Sequence, residues 1–310
     1  MSARPDIAGS AVMDSDMAPG SRPPDPGNTV SARFDFDWIL RPFFGLLLAG
    51  LALAAMVGGG AWFAAFIAAV TIAGVREWHR MLRHGRYSHY VAIGALAIAA
   101  SLALPVLQAR IYPALPAPLM LALVVLLAAA ALDAAVAALA GVPVLWQAAG
   151  PLYLGIPGIA LYALRDVSGH GLWLVLLLFL AVWATDTGAL VTGKLIGGPR
   201  LAPVLSPNKT WAGFVGGTML AAGTVAGTML ALGGSALRGA VFGAVLALIA
   251  HVGDLFESWV KRRVGRKNSG HLIPGHGGVL DRIDSILFAA PACAAFVFVY
   301  GAPSIFGAPL

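Results

Sequence analysis

Charged residues are scarce in this sequence. They make up 11% of its 310 residues, whereas a soluble globular domain carries about 25%. Hydrophobic residues make up 59%, and the mean hydropathy is +0.83. So little charge excludes an ordinary water-soluble domain and predicts that most of the chain is solvated by lipid.

Cysteine is almost absent. The one cysteine, Cys293, lies in an apolar run, which excludes an internal disulfide. The net charge of +6 does not indicate a nucleic-acid partner. The basic residues lie in short segments between apolar runs, where they orient a membrane protein.

The N-terminal segment lacks apolar runs. It is rich in Pro, Gly, Ser and Asp, and such a composition cannot build a core. We therefore predict a disordered polar tail over residues 1–37. It is not a secretory signal, because no apolar region closely follows its first basic residue.

The remainder predicts an all-α fold, a polytopic membrane bundle. A helix needs roughly 20 apolar residues to cross the hydrocarbon, and this length gives about nine segments. They lie near 42–57, 60–75, 89–107, 117–140, 144–164, 172–192, 211–232, 236–256 and 285–301. The first two meet at three glycines and form a hairpin or one long tilted helix. The hairpin is favoured because the whole run is too long for one crossing. We group the segments into an N-terminal set over 38–170 and a C-terminal set over 171–310.

Basic residues predict the orientation of the bundle. With the N-terminus in the cytoplasm, the inner connections hold thirteen Lys and Arg residues and the outer ones hold three. The inner residues are Arg76, Arg80, Arg83, Arg86, Lys194, Arg200, Lys209, Lys261, Arg262, Arg263, Arg266, Lys267 and Arg282. This asymmetry satisfies the positive-inside rule and predicts a bacterial inner (plasma) membrane protein with its C-terminus outside.

Five aspartates lie within or beside the apolar segments, where a charge costs about 2.5–3.5 kcal/mol. They are Asp133, Asp186, Asp254, Asp281 and Asp284. Asp254 shares a helix face with Glu257, Ser258 and Lys261, and the last two aspartates are three residues apart. Three carboxylates in a small space repel one another unless cations lie between them. We therefore predict that Asp254, Asp281 and Asp284 bind Mg²⁺, which prefers oxygen ligands. Helix capping and a solvated loop are the simpler alternative.

Two charged positions admit another interpretation. Asp133 is a functional acid or the partner of a polar neighbour, and the sequence does not favour either. Arg262, Arg263 and Arg266 are better explained as residues that orient the protein in the membrane. The sequence PGHGG at 274–278 predicts a turn where backbone approaches a ligand closely, and His276 is a candidate phosphate or metal ligand.

The polar segments resemble a known family. The stretch SWVKRRVGRKNSGHLIPGHGGVLDRID at 258–284 closely resembles the hallmark segment of the phosphatidate cytidylyltransferases, also called CDP-diacylglycerol synthases. The matching positions are Ser258, Lys261, Arg262, Lys267, Pro274, His276, Gly277, Gly278, Asp281, Arg282 and Asp284. A second stretch at 183–217 resembles the upstream segment of the family, including Asp186, Ser206, Lys209 and Thr210. Asn268 departs from the pattern, because the family usually has Asp there.

The resemblance implies a reaction and roles for its residues. CTP and phosphatidate would give CDP-diacylglycerol and pyrophosphate. Catalytic roles fall to Asp254, Asp281, Asp284, Lys261 and His276. Substrate binding falls to Ser206, Lys209, Thr210, Ser258, Arg262, Lys267, Gly277, Gly278, Arg282 and Asp186. Mg²⁺ would be the cofactor, alone or together with a second cation. CTP, phosphatidate, the surrounding lipid and a second copy of the chain are the expected partners.

Two other functions remain open. A CTP-dependent lipid kinase acting on polyprenol or phytol would use the same nucleotide but transfer its γ-phosphate. An ion-coupled transporter would use the intramembrane acids as ion sites. A transporter should show an internal repeat, and the polar residues instead gather near one end of the chain.

Overall fold

The computed structural model describes residues 37–82, 88–111, 118–273 and 277–306. From Asp37 onward the chain forms one compact unit. The predicted tail lies almost wholly outside the described residues, as does His276. The grouping of the helices at residue 171 stays a prediction.

Helices make up nearly all of the described structure. They are α1 (Asp37–Gly58), α2 (Gly60–Leu82), α3 (Ser88–Ile111), α4 (Pro118–Leu139), α5 (Val144–Arg165), α6 (Gly171–Leu195), α7 (Trp211–Ala231), α8 (Ala236–Arg263), α9 (Leu280–Tyr300) and α10 (Pro303–Phe306). Within the described ranges, eight helices are long and apolar enough to cross a membrane, and α1 adds a shorter apolar run, Phe44–Gly58. The chain is thus a polytopic integral membrane protein, as predicted. The predicted break after Gly58 is confirmed.

The helices that carry the polar motif extend further than the apolar runs predict. The predicted segment ending at residue 256 continues to Arg263, and the one starting at residue 285 begins at Leu280. The predicted loop 257–284 was therefore too long at both ends. The apolar-length criterion stops at the first charges, but a helix can continue beyond the hydrocarbon. Glu257 and Lys261 consequently lie on α8, and Asp281 and Asp284 lie on α9.

A small hairpin, which the sequence did not predict, joins α6 to α7. Its strands are β1 (Arg200–Ala202) and β2 (Ser206–Thr210), paired antiparallel with Arg200 opposite Thr210 and Ala202 opposite Ser206. Two prolines and short strand lengths hide it from pattern analysis. The Thr210 hydroxyl accepts a hydrogen bond from the Gly213 amide at 3.0 Å and thereby caps α7.

Helices α6 and α7 pack with their backbones in close contact. A Cβ atom added at Gly217 on α7 would lie 2.6 Å from the carbonyl oxygen of Thr185 on α6. The Thr192 hydroxyl of α6 lies 3.1 Å from the Ala212 carbonyl oxygen and also donates within its own helix. Small residues permit such close packing in membranes, where dispersion and hydrogen bonds hold helices together. This contact fixes the hairpin, which connects the two helices.

We expect Gly217→Ala to destabilise the protein by about 1–3 kcal/mol, because the new methyl group clashes with α6 backbone. The free energy of unfolding in detergent is the measurement. Gly227→Ala is the matched control on the same helix, since a Cβ there meets nothing within 4 Å. Equal stability of the two variants would show that the α6–α7 contact tolerates expansion.

Candidate active site

Lys261 joins the polar ends of α8 and α9. Its Nζ lies 2.8 Å from Oδ1 of Asp281 on α9 and 3.2 Å from Oε1 of Glu257, one turn earlier on α8. The Glu257 side chain is completely buried, and the other two are 13% and 10% exposed. A buried ion pair is strongly destabilised when one partner is lost. The three charges therefore fix where the two helices meet.

Asp281 also organises the α8–α9 connection, residues 264–279. Its carboxylate accepts hydrogen bonds from the Ser269 amide at 3.1 Å and from the Gly278 amide at 3.0 Å. Ile273 and Gly277 form an isolated β-bridge within the same connection. One carboxylate thus binds a lysine and two backbone amides, and it holds both ends of the connection beside the first turn of α9.

Asp254 links α8 to the hairpin. Its carboxylate forms an ion pair with Lys209 of β2. A second contact lies further along α8, where Arg262 Nε donates to the Leu205 carbonyl oxygen at 3.2 Å. The hairpin is therefore attached to α8 at two points, and it presents Lys209 to the same region as Lys261.

Three aspartates from three helices form what we call the acidic cluster: Asp186 of α6, Asp254 of α8 and Asp284 of α9. They lie close enough to act on one another electrostatically. The backbones of α8 and α9 touch here, because a Cβ at Gly253 would lie 2.7 Å from the Asp284 carbonyl oxygen. Lys209 and Arg282 also act on Asp186. The cluster thus gathers negative charge with cationic side chains around it.

The chain matches a known protein family over most of its length. A model of the cytidylyltransferase family matches residues 39–300, which is most of the chain. The chain belongs to the cytidylyltransferase family.

Individual relatives of the chain carry matching names. The chain is 42% identical over 165 residues to a protein named phosphatidate cytidylyltransferase from Brucella suis biovar 1 (strain 1330), an alignment that covers 53% of this chain and 59% of the relative. A protein of the same name from Staphylococcus saprophyticus is 43% identical over 141 residues, covering 45% of this chain and 53% of the relative. One from Rickettsia felis is 38% identical over 150 residues, covering 46% and 66%. The chain thus spans about three fifths of the length of these relatives.

Glu77 is a further site residue, which the sequence motifs did not predict. It lies on α2 and is 4% exposed. Its Oε2 accepts hydrogen bonds from the Leu280 amide at 2.9 Å and the Ser269 hydroxyl at 3.2 Å. A Cβ at Gly278 would lie 2.5 Å from the same oxygen. Glu77 therefore caps the N-terminus of α9, where a negative charge is favourable, and it fixes the α8–α9 connection from the side opposite Asp281. The sequence did contain a signal for this residue, because an acidic side chain near the C-terminal end of an otherwise apolar helix requires a polar partner.

The other predicted substrate-binding residues lie around this centre with fewer contacts. Ser206 and Ser258 are half-buried, and Lys267 is exposed beside Asn268. Arg262 is exposed and also donates to the Arg266 carbonyl oxygen at 3.3 Å, which agrees with a role outside the cluster. Gly277 has a φ of 84°, a left-handed conformation that favours glycine.

Asp133 lies apart from the site. It is fully buried on α4, and α4 packs against α3 and α5. Neither of its carboxylate oxygens has a hydrogen-bond partner among the described residues. The predicted polar neighbour is therefore not found within that part of the chain.

The site fits a divalent cation held by few protein ligands. Among the described residues, no group of three or more His, Cys, Asp or Glu side chains has the arrangement of a metal site. The three aspartates predicted to bind Mg²⁺ together, Asp254, Asp281 and Asp284, do not form one group of free ligands. Asp281 binds Lys261, and Asp254 binds Lys209. Mg²⁺ commonly takes only one or two carboxylates and completes its shell with water and substrate phosphates. The oxygen donors of the acidic cluster suit that mode.

We expect Glu77→Ala to lower the free energy of unfolding by about 1–3 kcal/mol, because two buried donors lose their acceptor. It should also speed tryptic cleavage at Arg266 and Lys267. Denaturation and timed proteolysis in detergent measure both effects. Arg76→Ala, at an exposed neighbouring position, is the control. Glu77→Gln retains one acceptor oxygen and should lie between the two; cleavage at the wild-type rate in Glu77→Ala would refute the bracing role.

Proposed function

We propose that this chain transfers a cytidylyl group from CTP to phosphatidate, giving CDP-diacylglycerol and pyrophosphate. The observation that carries the proposal is the convergence of Lys209, Lys261 and the acidic cluster in a member of the cytidylyltransferase family. The names of the bacterial relatives supply the substrate class.

The reaction joins two anions. A phosphate oxygen of phosphatidate attacks the α-phosphorus of CTP, the bond from this phosphorus to the bridging oxygen breaks, and pyrophosphate leaves with that oxygen. The attacking phosphate is ionised near neutral pH, so no general base is needed. The main requirement is to neutralise the repulsion between the reactants and the charge on the leaving group.

The cationic side chains meet this requirement. Lys209 and Lys261 each lie against a carboxylate, and both project from the two elements that border the acidic cluster. In the proposal they bind triphosphate oxygens, while Lys267 binds the same group from the exposed connection. Arg282 acts on the acidic cluster from α9 and binds the lipid phosphate.

The acidic cluster would hold Mg²⁺ through one or two of its carboxylates, and water and substrate phosphates would complete the shell of the ion. When bound, Mg²⁺ supplies positive charge that stabilises the leaving pyrophosphate. Asp281 positions Lys261 and the α8–α9 connection through the contacts described above. Glu77 positions the same connection, but not Lys261, from α2.

The location of the site follows from both substrates. The excess of basic residues on one side of the bundle supports a cytoplasmic site, at the face of the inner membrane where CTP is available. Phosphatidate is a membrane lipid and reaches the same boundary from within the bilayer. The site lies at the ends of α8 and α9, where polar helix turns continue beyond the apolar segments.

The protein should incorporate label from α-³²P-CTP into a lipid when phosphatidate and Mg²⁺ are supplied. Purified protein in detergent, with thin-layer separation of the products, is the assay. γ-Labelled CTP should label pyrophosphate only. Transfer of the γ-label to a lipid would instead identify a CTP-dependent lipid kinase, and no transfer of either label would refute the proposal.

Asp284→Asn and Asp281→Asn should each lower CDP-lipid formation by at least about 100-fold, an effect typical of losing transition-state electrostatics. The first change removes charge from the acidic cluster, and the second removes the partner of Lys261. Initial rates at saturating CTP measure the loss. Asp133→Asn is the matched control, because this buried acid lies away from the site. Wild-type rates in either site variant would contradict the assigned roles.

A further inference from the structure

A large apolar cavity opens beside the acidic cluster. Its volume is about 640 Å³, and it lies between α1, α2, α5, α6 and α9 with the end of the α8–α9 connection. This volume is within the usual range of small-molecule sites, about 300–1,000 Å³. Among the described residues that line it, Arg282 is the only charged one.

The lining excludes a polar ligand from the interior of the cavity. Apart from Arg282, its walls are apolar side chains and glycines, with two exceptions, Thr71 and Trp183. The Thr71 hydroxyl donates to the Ile67 carbonyl oxygen at 2.7 Å within its own helix. A nucleotide would leave its many donors and acceptors unsatisfied there, and each such buried group is unfavourable. Hydrocarbon meets no such penalty.

The depth of the cavity matches one leaflet of a bilayer. Along α2 its lining runs from Ala73, near Arg282, to Phe63, which is about 15 Å at a rise of 1.5 Å per residue. The hydrocarbon core of a bilayer is about 30 Å thick, so the cavity reaches about halfway across. A lipid chain that starts at the polar end would fill it lengthwise.

The cavity borders the acidic cluster on α9 and α6. Arg282 and Ile283 line it, and the next residue on α9 is Asp284. On α6, Trp183 lines it one turn before Asp186. A lipid with its phosphate at Arg282 would therefore have that phosphate beside the acids and lysines of the site and its chain in the cavity.

We propose that this cavity binds an acyl chain of the phospholipid substrate and sets the preferred chain length, with Arg282 binding the lipid phosphate at its mouth. This inference rests on the proposed function, since it takes phosphatidate as the lipid. Ala52 of α1 and Phe63 of α2 are the lining residues nearest in sequence to the junction between these two helices, and they mark one end of the cavity. Residues at that end limit how long a chain can be accommodated.

The test compares Ala52→Phe with Ala54→Phe. Ala54 is exposed on the same helix and does not line the cavity, so it is a matched control. We expect Ala52→Phe to lower kcat/KM for dipalmitoyl phosphatidate by about tenfold, as when a pocket loses room for part of a substrate, and to leave dioctanoyl phosphatidate unaffected. Ala54→Phe should change neither. Equal effects of Ala52→Phe on both lipids, or no effect, would overturn the inference.

A binding measurement separates this inference from the proposed function. Phosphatidate with a photoactivatable diazirine at the end of one acyl chain should crosslink to α1 and α2 near Ala52 and Phe63. Excess unlabelled phosphatidate and Ala52→Phe should each suppress the crosslink, and Ala54→Phe should not. Crosslinks spread over lipid-facing positions such as Leu123 and Leu127 would refute the cavity as a site. Wild-type protein that crosslinks in the cavity but forms no CDP-lipid would refute the proposed reaction alone.

Discussion

The ion pair between Lys261 and Asp281 is the contact on which the rest of the site depends. It spans α8 and α9 where their backbones approach each other, and the buried carboxylate of Glu257 lies against the same lysine. Charges in so apolar a protein are stable only when paired. That requirement fixes the relative position of the two helices, and through the amides bound to Asp281 it also fixes the connection between them.

The acidic cluster is stabilised differently. Asp186, Asp254 and Asp284 come from separate helices and repel one another, while Lys209 neutralises only part of their charge. Close backbone packing between α8 and α9 keeps Asp254 and Asp284 from moving apart. The fold thus brings together carboxylate oxygens that suit a divalent cation, beside lysines and an arginine that suit phosphate.

Much of this fold could be read from the sequence, because lipid imposes a length that apolar runs must satisfy. Each predicted segment corresponds to a helix. The polar helix turns were harder to predict. Glu257 and Asp281 lie on parts of helices that extend beyond the hydrocarbon, and the length of an apolar run gives no information about those parts. The spacing of Asp254, Glu257 and Lys261 correctly placed them on one face. Spacing could not reveal the pairing of Asp254 with Lys209. It also could not reveal the hydrogen bond between Glu77 and Ser269, which are almost two hundred residues apart. Such contacts depend on how distant segments pack.

The position of Glu77 also limits how this protein can be divided into fragments. Its carboxylate comes from the second helix, whereas the segment that it braces belongs to the last third of the chain. A fragment containing only the motif-bearing helices would keep every residue of the family signature and yet lack an acceptor for two of its own buried donors. Helices with the least recognisable sequence are, for this reason, structural components of the candidate site, and changes among them can alter that site without touching a signature residue.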